Sequence, residues 1–240
     1  GVRVAGKTCW LHVASTALHT LLTMHRSRGR PAVDAIGLVG QMRGVRVHDA
    51  LPSYLSYGGC FSLCNAHLLR ELVAVAETTG QTWATEMQAL LRAMKESADQ
   101  ARAAGRAAVP KRVQRSLERR YEALLAAGES ANAEPPQRSG TRGGRLRRTP
   151  AQNLLRRLRR HQEAVLYFLR DLRVPFDNNQ AERDLRMGKV QQKVSGCFRS
   201  ERGAMLFARI RGYLSTLRKQ DLPLLAALRD TLLGRPLLPA

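Results

Sequence analysis

Every strand-like run in this chain lies before residue 64, and the periodic runs after that point are helical. Residues 9–15 and 18–25 alternate in the manner of strands, with only Thr16-Ala17 between them, which predicts a tight hairpin. Pro31 opens a short helix over about 31–39, since proline fits the first helical position. Residues 44–49 read as a third strand, with Val45, Val47 and Asp49 on one face. Cys60 to Leu63 reads as another short strand, followed by helix from about Ala66 to Glu77. From Gln81 to Ala127 the pattern is helical, with a break near Val109-Pro110. Gly128 to Pro150 is rich in Gly, Ser, Pro and Arg and has no period, which predicts a basic linker. Strongly basic helix returns over 151–172. Further helices follow: one holding Glu182, one over about 203–219 and one over about 222–233. The expected class is α/β with an all-helical lobe and a helical C-terminal region. The segments are 1–80 and 151–220 as core, 81–127 as helical insertion, 128–150 as linker and 221–240 as terminal helix and tail.

Charge decides the kind of partner. Lys and Arg number 40 against 19 Asp and Glu, a formal net charge of +21 over 240 residues. Such an imbalance points to a polyanion, nucleic acid before any anionic membrane surface. No apolar run reaches the roughly 18 residues of a membrane span. Aromatic residues are 5% of the chain, too few for base stacking to dominate binding. Four scattered cysteines make no disulfide framework, which fits a reducing cytoplasm.

Two acids stand out. Glu182 lies in Asp177-Asn178-Asn179-Gln180-Ala181-Glu182-Arg183-Asp184, at the head of a helix loaded with arginine. It shares a face with Arg186 and Lys189, while Ala181, Leu185 and Gly188 form a smaller packing face. A carboxylate among cations can hold a divalent metal against a scissile phosphate. It can equally be first-turn charge on a helix capped by Asp177 with Gln180. Asp49 continues the Val45/Val47 face at a strand end, where it would be a buried acid needing a partner, or else a turn-former before Ala50-Leu51-Pro52. Cys60, Cys64 and His67 match no standard zinc spacing. His67 and Arg70, at a helix start, are placed to reach phosphate. Two cationic groups are candidate DNA contacts. One is Arg142, Arg145, Arg147 and Arg148 with Arg156, Arg157, Arg159 and Arg160. The other surrounds Glu182 and includes Arg183, Arg186, Lys189, Lys193 and Arg199. No Gly-x-Ser-x-Gly elbow and no Walker-type phosphate loop occurs.

These motifs together resemble the transposases of the insertion sequence 66 family. The resemblance is carried by Gly-Val-Arg-Val-Ala-Gly-Lys, Trp-Leu-His-Val-Ala-Ser-Thr, Val47-His48-Asp49 and Cys64-Asn65-Ala66-His67-Leu68-Leu69-Arg70-Glu71-Leu72. It continues in Asp177 to Arg183, Lys193 to Ser200 and Arg209 to Thr216, and fades in the helical insertion and linker. It implies a ribonuclease-H-like mixed sheet flanked by helices and an Asp-Asp-Glu triad binding two Mg²⁺ (or Mn²⁺) ions. One metal would activate water or a DNA 3′-hydroxyl and the other would stabilise the leaving oxygen. By position Asp49 is then the second acid and Glu182 the third, both as metal ligands and catalytic residues.

In that family the first Asp lies just upstream of Gly-Val-Arg-Val, so a chain opening at Gly1 is expected to be a fragment without it. Asp34, on the helix after Pro31, is no substitute. The fragment is expected to bind DNA and to be inactive or badly impaired alone. Its partners would be the element ends and target DNA in the cytoplasm, at the nucleoid. A homodimer would suit a reaction that pairs two ends, and helper proteins of the same element would be compatible with it. The rival readings are a non-catalytic basic nucleic-acid-binding protein, a ribonuclease-H-like nuclease that cuts without joining, and a helical adaptor.

Overall fold

The computed structural model describes residues 1–133 and 148–239. The chain opens with β1 (Val2–Val4), β2 (Lys7–Ser15), β3 (Thr20–His25), α1 (Arg30–Ile36), β4 (Arg46–His48), α2 (Pro52–Leu55) and β5 (Phe61–Leu63). Helices follow: α3 (Asn65–Thr79), α4 (Thr82–Ala103), α5 (Lys111–Ala131), α6 (Pro150–Arg160) and α7 (Gln162–Arg170). The last are α8 (Asn179–Ser195), α9 (Glu201–Lys219) and α10 (Leu224–Leu232). The class is α/β, with helix predominating. The chain divides into one compact unit of Gly1–Met42, Ser53–Tyr57 and Asn179–Ala240, and another of Arg43–Pro52 and Gly58–Asn178. No described helix is long and apolar enough to cross a membrane.

In the first unit β1, β2 and β3 form an antiparallel meander. Val4 pairs with Lys7 across Ala5-Gly6, both at positive φ, the geometry of a two-residue hairpin turn matched to strand twist. Phe198 extends the edge: its N–H donates to Arg3 O and its carbonyl accepts from Ala5 N–H. Val2, Val4, Cys9, Phe198 and Ala204 make a small apolar core there. Helix α9 runs very close to β3. A Cβ on Gly212 would stand 3.1 Å from Thr20 O and 3.2 Å from Leu22 N, so only glycine allows that approach.

In the second unit β4 and β5 pair in parallel, His48 opposite Leu63. Helices α3 to α7 bury one larger core that includes Leu72, Leu91, Met94, Tyr121, Leu125, Leu158 and Leu169. Burying each such side chain contributes roughly 1.5–3 kcal/mol. Several polar groups inside find backbone carbonyls. Tyr121 Oη donates to Leu158 O, Ser62 Oγ to Ala164 O, and Asn65 Nδ2 to Val165 O and Phe176 O.

Several expectations need correction. The β2–β3 loop is four residues, 16–19, because Thr16 Oγ1 accepts from the amides of Leu18 and His19 and withdraws them from the ladder. Helix α5 runs through Gly128 to Ala131. Gly128 packs in the interior, where a Cβ would lie 2.6 Å from Leu155 Cδ2 and 2.9 Å from Trp83, so here glycine marks helix packing and not a linker. The basic helix of 151–172 is broken at His161 into α6 and α7. Residues 134–147 of the stretch read as linker, with Arg142, Arg145 and Arg147, lie outside the described residues.

The inward face of β4 is also the reverse of the one expected. Arg46 and His48 are buried and Asp49 is exposed. The polar side chains find partners inside. Arg46 Nη2 donates to Gly58 O at 2.5 Å, and the His48 ring stacks on Phe61 at 5.3 Å.

Candidate functional site

Helix α8 positions Glu182. Its first helical residue is Asn179, so Asp177 stands two residues ahead of the helix, with Asn178 and not Asp177 at the position before it. Ala181 and Gly188 are buried and Leu185 is partly so, which is the small packing face the sequence suggests. Gly188 lets α8 settle on β2, for a Cβ there would come within 2.5 Å of Leu11 Cδ2. With that face inward, Glu182 is half-buried in the first turn, where the helix dipole favours negative charge. Arg183, Arg186, Lys189, Lys193 and Arg199 all reach solvent, Arg183 and Lys193 among them. Arg183 Nη2 donates to Gln180 Oε1.

Two residues beyond Glu182, Asp184 points into the unit. Its Oδ2 accepts from Ser15 Oγ at 2.8 Å, Thr20 Oγ1 at 3.2 Å and Lys219 Nζ at 3.0 Å. Its Oδ1 accepts from Ser215 Oγ at 2.9 Å. The carboxylate and ammonium side chains are only 7% and 10% exposed. Burial alone would raise the Asp184 pKa. The hydrogen bonds from Ser15, Lys219 and Ser215, with the Lys219 charge, outweigh it and hold the group below the usual carboxylate range. Lys219 Nζ also donates to Ser15 Oγ and to the carbonyls of Thr16 and His19. One carboxylate thus ties α8, α9 and both ends of the β2–β3 loop. Sequence reading passed over Asp184, although an acid between Ala181 and Gly188 on the small-residue face was a usable signal.

Asp49 ends β4 in the second unit. Its Oδ1 accepts from Leu51 N–H at 3.2 Å, the turn-forming geometry, which leaves Oδ2 toward solvent. His48 beside it is held neutral. Desolvation outweighs the attraction of Asp49 and lowers its pKa to about 4. Its Nδ1 accepts from Ala50 N–H at 3.1 Å. On the far side of Phe61, His161 stands edge-on at 5.9 Å, and burial followed by the Arg160 and Arg157 charges lowers its pKa too.

Helix α3 carries half-buried His67 and exposed Arg70. Cys64, just before it, is buried, and its Sγ accepts from Asn178 N–H at 3.2 Å. Burial pushes that thiol up. Cys60 is exposed.

Two arginines of α6 meet carboxylates from other helices. Arg157 pairs with Glu71. Arg159 pairs with Glu122 and also with Glu129, at 2.9 and 3.0 Å from the latter's two oxygens. These ion pairs lie at the surface, with every partner partly exposed. Arg156 and Arg160 are exposed. Asp49, His67, Arg70 and these arginines therefore belong to the second unit, and Glu182 with its surrounding cations to the first. Asp49 and Glu182 offer the hard oxygen donors that a magnesium-like ion takes.

A model of the family described as "Transposase IS66 family" matches residues 2–206. No curated protein and no solved structure matches the chain.

Proposed function

The chain belongs to the IS66 family of transposases, and from that premise we propose that it carries the second and third carboxylates, Asp49 and Glu182, of a metal-dependent centre for DNA cleavage and strand transfer. The observation that carries the reading is the family match over residues 2–206, a span that holds both acids in their motifs. The net charge of +21 supports DNA as the substrate. The proposed core is ribonuclease-H-like.

In this reading Asp49 and Glu182 hold divalent cations, Mg²⁺ or Mn²⁺, through carboxylate oxygens. Bound there, such ions polarise a phosphoryl oxygen and lower the pKa of water. The hydrogen bond from Leu51 N–H fixes the Asp49 carboxylate, with Oδ2 left to ligate. The Asp184–Lys219 clamp fixes the helix from which Glu182 projects. Arg183, Arg186, Lys189, Lys193 and Arg199 hold the DNA backbone beside Glu182. His67 and Arg70 contribute phosphate contacts from α3, and Arg156 and Arg160 from α6. The work is cytoplasmic, on the nucleoid, with a homodimer joining two element ends.

The test is a strand-transfer assay on DNA bearing the element ends, run with this chain and with one extended upstream. Glu182→Gln and Asp49→Asn are each expected to abolish metal-dependent joining, by at least about 10²-fold, and to leave DNA affinity intact or tighter. Full joining by either variant would remove that acid from the mechanism. If neither this chain nor the extended one joins DNA while both bind it, and neither variant loses affinity, a basic nucleic-acid-binding protein is favoured instead.

A further inference from the structure

We propose that helix α5 presents a second surface for duplex DNA, a cationic groove that grips the phosphodiester backbone through Arg112, Arg115 and Arg119. The inference rests on the reading that DNA is the substrate and adds a surface to it.

Three observations carry it. The first is spacing. Residues 112, 115 and 119 fall within about 60° of arc on a helix and climb it in steps of about 4.5 and 6 Å. The whole row climbs about 10.5 Å, the length of about three phosphate steps of one strand at about 3.4 Å each along the duplex axis. Gln114, Leu117, Tyr121 and Leu125 occupy the opposite, buried face, so the packing of α5 holds the arginine row outward.

The second is charge. Arg112, Arg115 and Arg119 are exposed and have no carboxylate partner among the described residues. The two acids beside them are paired from α6 and α7, by arginines that also meet Glu129 and Glu163. Glu118 accepts from Arg170 at 3.1 Å, and Glu122 accepts from Arg159. The lining itself stays positive, with three arginines against Glu118 and Glu122, and Arg159 and Arg170 offset part of that acid.

The third is shape. These residues, with Gln162 at the start of α7, line an open groove of about 770 Å³. A groove without a buried floor suits a backbone that lies along it and offers nothing to enclose a small ligand.

The experiment follows the DNA affinity of the whole chain, by fluorescence anisotropy, across a salt series on a duplex of arbitrary sequence. The triple variant R112A/R115A/R119A is expected to flatten the slope of log K against log salt by about 2.7, near 0.9 for each phosphate left without its arginine. R112K/R115K/R119K should keep the slope. An azidophenacyl photocrosslinker on R115C should label DNA. If the wild type binds steeply, the alanine variant matches its slope and the crosslinker gives no product, the groove is not a DNA surface, while DNA as the substrate stands. If the wild type itself shows no salt-dependent DNA binding, the groove and the substrate reading fall together. Should the alanine variant lose its fold, the crosslink alone decides.

Discussion

At the end of β4, His48 is buried and neutral while Asp49, one residue on, meets solvent. The alternation of the strand suggested the reverse, because valines normally face inward. That expectation failed because Arg46 and His48 find a carbonyl, a backbone amide and an aromatic face inside, which offset part of the cost of burying them. The consequence is a pH dependence. An unfolded chain binds a proton on His48 near its ordinary value of about 6.5, while the folded protein does so only near 4. Below the unfolded value the unfolded state gains protons that the folded one refuses. Stability from this site is therefore complete above about pH 6.5 and lost as pH falls toward 4, on the order of 3 kcal/mol in all. Urea midpoints measured from about pH 7 to 4 should show that decline, and a His48→Phe variant should lack this component. An equal decline in the variant would assign it to other groups.

Helix α8 shows how an element is fixed by few contacts. Ala181 and Gly188 let it approach β2, and Asp184 locks it to β2, β3 and α9. Removing one partner of a buried ion pair leaves the other charged and unmatched, at a cost of about 3–5 kcal/mol. Asp184→Ala should destabilise the protein by that order because Lys219 is stranded, and Asp184→Ala with Lys219→Met should recover part of it. Chemical denaturation measures both. A loss under about 1 kcal/mol in the single variant would mean that the clamp does not hold α8. Element types were largely legible from period and breakers, as at the Val109-Pro110 break between α4 and α5. Boundaries were less so. The β2–β3 loop turned on a threonine side chain, and the end of α5 on a glycine that packs against Trp83 and Leu155.

Across the whole molecule the charge of +21 is the dominant physical fact. Like charges repel in the compact state, and salt screens them as the Debye length falls from about 30 Å at 0.01 M to about 8 Å at 0.15 M. Thermal midpoints should therefore rise over that range by a few degrees. A flat or falling midpoint in a calorimetric salt series would mean that the local ion pairs already cancel the repulsion. The sequence by itself determined the polyanion partner, the succession of strands and then helices, and the motifs that hold Asp49 and Glu182, because charge, period and short-range spacing are properties of neighbours along the chain. Only the tertiary structure decided which cations pair with the chain's own acids. Arg157 and Arg159 are two arginines of a basic run in the sequence, yet they face Glu71, Glu122 and Glu129 from distant segments. Asp184 became a clamp for the same reason. An ionic side chain takes its role from the partner that folding brings to it, and that partner can lie anywhere along the chain.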